Sequence, residues 1–132
     1  MKFFKLIIAT FFICLLFGCA NKYEAPRTVE SSSQGLSKEQ VKNAILAVNK
    51  KRDTRYGIWK LDLIDNNNIR ASLLNQKYEA TMNINFSSEG YKIQYKSVSP
   101  NLINKKGEVH RNYNRWVNDL DYRIRQNIFK VQ

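Results

Sequence analysis

The sequence predicts an α+β fold: an N-terminal helix, a four-stranded antiparallel meander and a C-terminal helix, with both helices on one face of the sheet. Apolar residues recur at steps of three and four before residue 51 and again after residue 108. That is the period of a helix with one buried stripe. Between these blocks the apolar period is two over four short runs, the pattern of strands with one side inward. The runs are joined by turn clusters too short for a crossover connection, which makes sequential strands antiparallel neighbours.

The chain opens with Lys2 and Lys5, then an apolar run over 6–17 that ends in Leu16-Phe17-Gly18-Cys19. As a helix this run spans about 18 Å, short of the ~30 Å hydrocarbon core of a bilayer. It has the length and charged flank of a secretory leader. It is apolar on every side, unlike a buried helix of a soluble domain. The Leu-Phe-Gly-Cys end resembles the lipobox of bacterial lipoproteins, with Phe17 where a small residue is usual. The resemblance implies a signal peptide over 1–18, cleavage before Cys19 and lipid on its sulfur. A plain signal-peptidase site beside an incidental cysteine is the alternative. Ala20, rather than Asp, follows the cysteine. By the same resemblance this implies an outer-membrane lipoprotein with its domain facing the periplasm.

Residues 20–35 contain Pro26, Ser31-Ser32-Ser33 and Gly35 without hydrophobic periodicity. Such a composition buries too little to offset the entropy of ordering. A lipidated flexible tether is expected over 19–35, with a reach of about 20–25 Å. A single α+β domain is expected over 36–132.

Ser37 and Gln40 have capping-box spacing, and Val41, Ala44, Ile45 and Val48 form an apolar stripe. They predict a helix over 38–50, closed by Lys50-Lys51-Arg52 at its negative dipole end. Trp59, Leu61 and Leu63 begin the first strand, and Ile69, Ala71 and Leu73 lie in the second. Tyr78, Ala80, Met82, Ile84 and Phe86 alternate in the third, and Tyr91, Ile93 and Tyr95 in the fourth. Tyr113, Trp116, Val117, Leu120, Ile124 and Ile128 then share one face of a helix over 109–130, with Trp116 as its largest core side chain.

The two cysteines, Cys14 and Cys19, both lie in or beside the leader. The folded part therefore has no disulfide, thiolate cluster or cysteine nucleophile. His110 is the only histidine, without an HExxH or a spaced ligand set, so no metal or other cofactor is expected. Its position suits a helix cap. No G-x-S-x-G or S-x-x-K marks a nucleophile. Asp119 and Asp121 are two apart on a helix and so point in different directions. The chain is read as non-enzymatic. The tyrosines that could stack bases or sugars fall on the core face.

The charge is informative. The chain carries +11, and without Lys2 and Lys5 the mature part carries +9. Such a bias attracts anionic surfaces. Lys60, Arg70, Lys92 and Lys96 fall on the predicted outer face of the sheet, shared with Asp62 and Glu79. Arg111, Arg115, Arg123 and Arg125 add charge along the last helix. The expected role is a lipid-anchored cell-envelope protein that binds a partner protein, an anionic lipid or a polysaccharide through the sheet face. The alternative is a structural accessory subunit of an envelope complex with no ligand of its own, its charge serving as solvated surface.

The segments "INFSSEGYKIQYKS" from Ile84 and "HRNYNRWVNDLDYRIRQNI" from His110 resemble a group of small, mostly uncharacterised proteobacterial lipoproteins. There a His-x-x-Tyr-Asn-x-Trp helix follows the strands, matched here by His110, Tyr113, Asn114 and Trp116. The resemblance implies an envelope location and an α+β fold, with no assigned reaction or substrate. The motif itself reads as packing, with the Asn fixing the incoming chain. The element order and Lys105-Lys106 are also similar to double-stranded RNA-binding domains. The fourth strand and the export signal argue against a nucleic-acid partner.

Overall fold

The computed structural model describes residues 22–132. The leader, the lipobox and Cys19 lie outside the described residues. The fold is α+β, with an antiparallel sheet and a long C-terminal helix. Its elements are β1 (Tyr23–Glu24), β2 (Val29–Ser32), α1 (Lys38–Leu46), a 3-10 turn (Ala47–Lys51), β3 (Asp53–Thr54), β4 (Gly57–Asp65), β5 (Asn68–Leu74), β6 (Glu79–Ser87), β7 (Gly90–Val98), a second 3-10 turn (Pro100–Leu102), β8 (Val109–His110) and α2 (Arg111–Val131).

The expected meander is β4-β5-β6-β7, but the sheet has six strands in the order β2-β7-β6-β5-β4-β3. The four-strand count is thus too low at both edges. Both added strands are short, and their sequences carry too few apolar positions to show a period of two. They are held by main-chain hydrogen bonds, which need no apolar side chain. A separate ribbon pairs β1 with β8.

The tether expected over 19–35 is likewise corrected from Tyr23 onward. Val29–Ser32 pairs with β7 from Ile93 to Gly90, and Val29 and Ser33 are buried. Ser33 donates from its amide to the Glu89 carbonyl at 3.0 Å. Gly90 makes this possible: it has φ +150°, and a Cβ there would collide with the Ser31 carbonyl, so only glycine lets β2 approach. Asn114 of α2 clamps the stretch before β2. Its Nδ2 donates to Glu24 Oε1 at 2.9 Å and to the Ala25 carbonyl at 3.0 Å. Its Oδ1 accepts from the Arg27 amide at 2.8 Å.

The capping box at Ser37 and Gln40 forms as the spacing predicts, with both reciprocal bonds present. The helix it opens is shorter than 38–50, because its last turn tightens into the 3-10 segment. There the Asn49 side chain donates to the Leu61 carbonyl and accepts from the Leu61 amide, both at 2.9 Å. It thereby covers β4 where two-residue β3 does not reach. Exposed strand edges invite unwanted pairing, and this one is closed.

One core results. Trp59, Leu61, Ile69, Ala71, Leu73, Ala80, Met82, Ile84, Phe86, Tyr91 and Ile93 are buried on the inward side of the sheet. They join one cluster with Val41 and Ile45 of α1 and Tyr113, Trp116, Val117, Leu120, Ile124 and Ile128 of α2. Every member of that cluster lies within 29–128. Of the two tryptophans, Trp59 is the more deeply buried, at 0% exposure against 4% for Trp116.

Asp119 and Asp121 flank the buried Leu120 and leave α2 on opposite sides. Trp59 Nε1 on β4 donates to Asp119 Oδ2 at 3.1 Å. The Tyr91 hydroxyl on β7 donates to Asp121 Oδ1 at 2.6 Å. Each carboxylate also pairs with an arginine one turn on, Arg123 at 2.8 Å and Arg125 at 2.9 Å. Tyr91 titrates well above the ordinary tyrosine range, first through burial and then through its bond to Asp121.

Asp119→Ala leaves the indole N–H and Arg123 without their acceptor. It is expected to cost about 1.5–3 kcal/mol, the range for a hydrogen bond to a charged group. Urea midpoints at constant slope measure this, and an unchanged midpoint would remove this bond from the forces that hold the fold.

Candidate functional site

The outer face of the sheet is polar. In register across it run Lys60, Ser72, Thr81 and Ser97, and next to them Asp62, Arg70, Asn83 and Gln94. A third row continues from Asn68 through Asn85 and Lys92 to Glu30. The four cations singled out by sequence do share this face at the level of strand parity, but they do not cluster. Lys60 and Lys92 stand on strands three spacings apart, about 14 Å. Lys60 pairs with Asp62 at 3.9 Å and Lys92 with Glu30 at 3.3 Å. Thr81 pairs with Ser97 while Met82 pairs with Tyr95, so Lys96 is a bulge residue with nothing opposite it. Arg70 faces Asp62 on one side and Asn83 on the other. Asn68 Oδ1 accepts from Asn83 at 3.1 Å and from Asn85 at 3.3 Å. The face is an amide and hydroxyl lattice with near-balanced charge, not a positive field.

Unbalanced positive charge gathers instead in a groove between the 3-10 turn and the last turns of α2. The groove holds about 440 Å³, within the range of small-ligand sites. Ala44, Ala47 and Val48 form its floor, and Lys50, Lys51, Arg123 and Lys130 stand around it. No acidic side chain lines it. Small side chains at Ala44 and Ala47 keep the two helices from filling the space. Asn127 Nδ2 donates to the Ala44 carbonyl at 3.0 Å and ties the walls together. Arg123 is held by Asp119 and reaches the Lys51 carbonyl at 3.4 Å. No ion pair holds the three lysines among the described residues. Val131, 49% exposed, also lines the groove.

Sequence reasoning missed this cluster. Lys50 and Lys51 were visible only as charges that complement a helix dipole. Nothing local in the sequence brings Lys130, some eighty residues later, beside them. The apolar gap between them comes from two alanines that read as ordinary stripe residues.

The motif residues of α2 serve the fold. His110 is the N-cap, its Nδ1 accepting from the Asn112 amide at 3.1 Å. Tyr113 is fully buried, edge-on to Tyr95 at 5.5 Å between ring centroids. Its hydroxyl has no hydrogen-bond partner among the described residues, and burial raises its pKa above the ordinary range. Asn114 is the clamp already described. Among the described residues no three His, Cys, Asp or Glu side chains gather as a metal site, and no helix is long and apolar enough to cross a membrane. No protein-family model matches the chain, and neither a curated protein nor a solved structure does.

His110 titrates below its ordinary 6.5, through burial first and then through the charges of Arg111, Lys22 and Arg115. A histidine with a lowered folded pKa contributes stability that is present above its unfolded value and lost as pH falls through the folded one. Protonation also turns Nδ1 from acceptor to donor and ends the cap. The melting temperature is therefore expected to fall as pH is taken below 6.5. His110→Asn, which caps without titrating, should lose that component. Identical pH profiles for the two proteins would contradict this role.

Proposed function

We propose that the chain is a non-enzymatic, lipid-anchored protein of the cell envelope that binds an anionic lipid in the groove between its helices. The observation that carries this is the groove itself: an apolar floor ringed by cations, with no acid in its lining. An acyl chain fits against Ala44, Ala47 and Val48. A phosphate or carboxylate headgroup fits between Lys50, Lys51 and Lys130. Clustered without a matching acid, these cations raise the local potential for an anion. The anchor is the lipid on Cys19 that the Leu16-Phe17-Gly18-Cys19 motif implies, in the outer membrane with the domain on the periplasmic side.

A second reading is the accessory subunit. The Lys60–Asp62 and Lys92–Glu30 pairs favour it, because a face whose charges are internally matched suits a polar contact with a protein. That contact would use the sheet and leave the groove free.

Monomeric short-chain phosphatidylglycerol is expected to bind at least about ten-fold more tightly than phosphatidylcholine of the same chains, a difference of ~1.4 kcal/mol. Lys51→Glu with Lys130→Glu should abolish the preference, and Ala47→Leu should block both lipids by filling the floor. Equal binding of the two lipids by the wild-type protein would overturn the groove as an anionic site.

The anchor is tested separately. Metabolic labelling with palmitate should mark the native chain and not Cys19→Ser. A labelled Cys19→Ser protein, or an unlabelled native one, would end the lipoprotein reading.

A further inference from the structure

The pinned N-terminal segment changes what an anchor at Cys19 would mean. β1 pairs Tyr23 with His110, and the Tyr23 and His110 rings meet edge-on at 5.9 Å. The Arg111 amide donates to the Lys22 carbonyl at 2.9 Å. The chain is thus fixed to the start of α2 from Lys22 onward. Only three peptide steps separate Lys22 from Cys19, about 11 Å at full extension.

The end of the fold reached by that leash is cationic. Lys22, Arg111 and Arg115 are exposed and all act on His110. Arg27 and the turn residues Lys105 and Lys106 are exposed nearby in the chain path. No ion pair holds any of these six among the described residues. Two acids also lie here, Glu24 accepting from Asn114 and Glu108 from Asn104, and the six cations outnumber them. The first turn of α2 carries no acidic residue, although the positive end of a helix dipole favours acids and is destabilised by cations. The packing therefore gains nothing from Arg111 and Arg115, and the charge is turned outward.

We infer that this end of the domain is a docking face for an anionic bilayer surface, the same bilayer that takes the lipid on Cys19. The inference rests on the anchored reading above. A leash of about 11 Å holds the cations within roughly one Debye length of the headgroups, where each lysine or arginine adds attraction. The domain then stands on the membrane by the start of α2 and does not hang from a free tether.

The test uses a chain begun at Ala20, which keeps every described residue and the whole core and carries no acyl group. It is expected to co-sediment with phosphatidylglycerol vesicles and not with phosphatidylcholine vesicles. Arg111→Gln with Arg115→Gln should weaken binding about 30-fold, two charges at ~1 kcal/mol each. The pair Lys60→Gln and Lys92→Gln on the sheet should bind as wild type. Thermal melts confirm that each variant folds. Equal binding to both vesicles would overturn the inference, as would wild-type binding by Arg111→Gln with Arg115→Gln or loss confined to the sheet variant. Because the lipid is absent, a failed palmitate experiment removes the anchor without altering this result, and a failed vesicle experiment leaves the anchor standing.

Discussion

Two carboxylates, one residue to either side of Leu120, hold the long helix over the sheet. Leu120 points down into the core, so Asp119 and Asp121 splay toward opposite flanks. One meets the indole of β4 and the other the phenol of β7. These strands bound the meander, so the helix is fixed across its full width. Buried carboxylates are costly unless paired. Here each has an arginine one helical turn away, and the arginines stay partly in water. The arrangement lets a polar tie survive at the rim of an apolar core. It also explains why Trp59, rather than Trp116, is the residue on which sheet and helix converge.

Much of the fold was legible because its signals are periodic. The capping box, the stripes of both helices and the inward residues of the four long strands all repeat at a spacing set by local geometry. The elements that escaped are those whose reason is distant. β2 looks like a linker because Val29 is its only apolar residue; its order comes from β7 and from a glycine that lets a neighbour come close. The extra residue at Lys96 is invisible in a run that otherwise alternates. The aspartates read as solvent-facing because their partners, Trp59 and Tyr91, were assigned wholly to apolar packing.

The candidate site was less legible for a related reason. Parity groups the even-numbered cations on one sheet face; the register puts Lys60, Arg70 and Lys92 in rows there, while Lys96 falls in a bulge. It could not tell that Asp62 and Glu30 would sit within ion-pair range of two of them. Net charge is a property of composition, whereas a field needs cations without acids close by. The fold separates these cases. It neutralises the sheet and leaves positive charge at the two ends of α2, one a cleft and the other an open surface. About 20 Å of helix lies between their centres, at ~1.5 Å per residue. A ligand in the cleft and a surface at the far end would therefore not compete for the same lysines.

The pairing of β2 with β7 has a consequence for the order in which the sheet closes. A chain that emerges N-terminus first presents β2 long before β7. Its partner residues follow 58 to 64 positions later, so this early strand must wait for a late one. Closing so long a loop is slow and entropically costly. During that interval the outer edge of the sheet stays unzipped. A chaperone that grips extended backbone would find its target there, in the brief span before the hem is sewn.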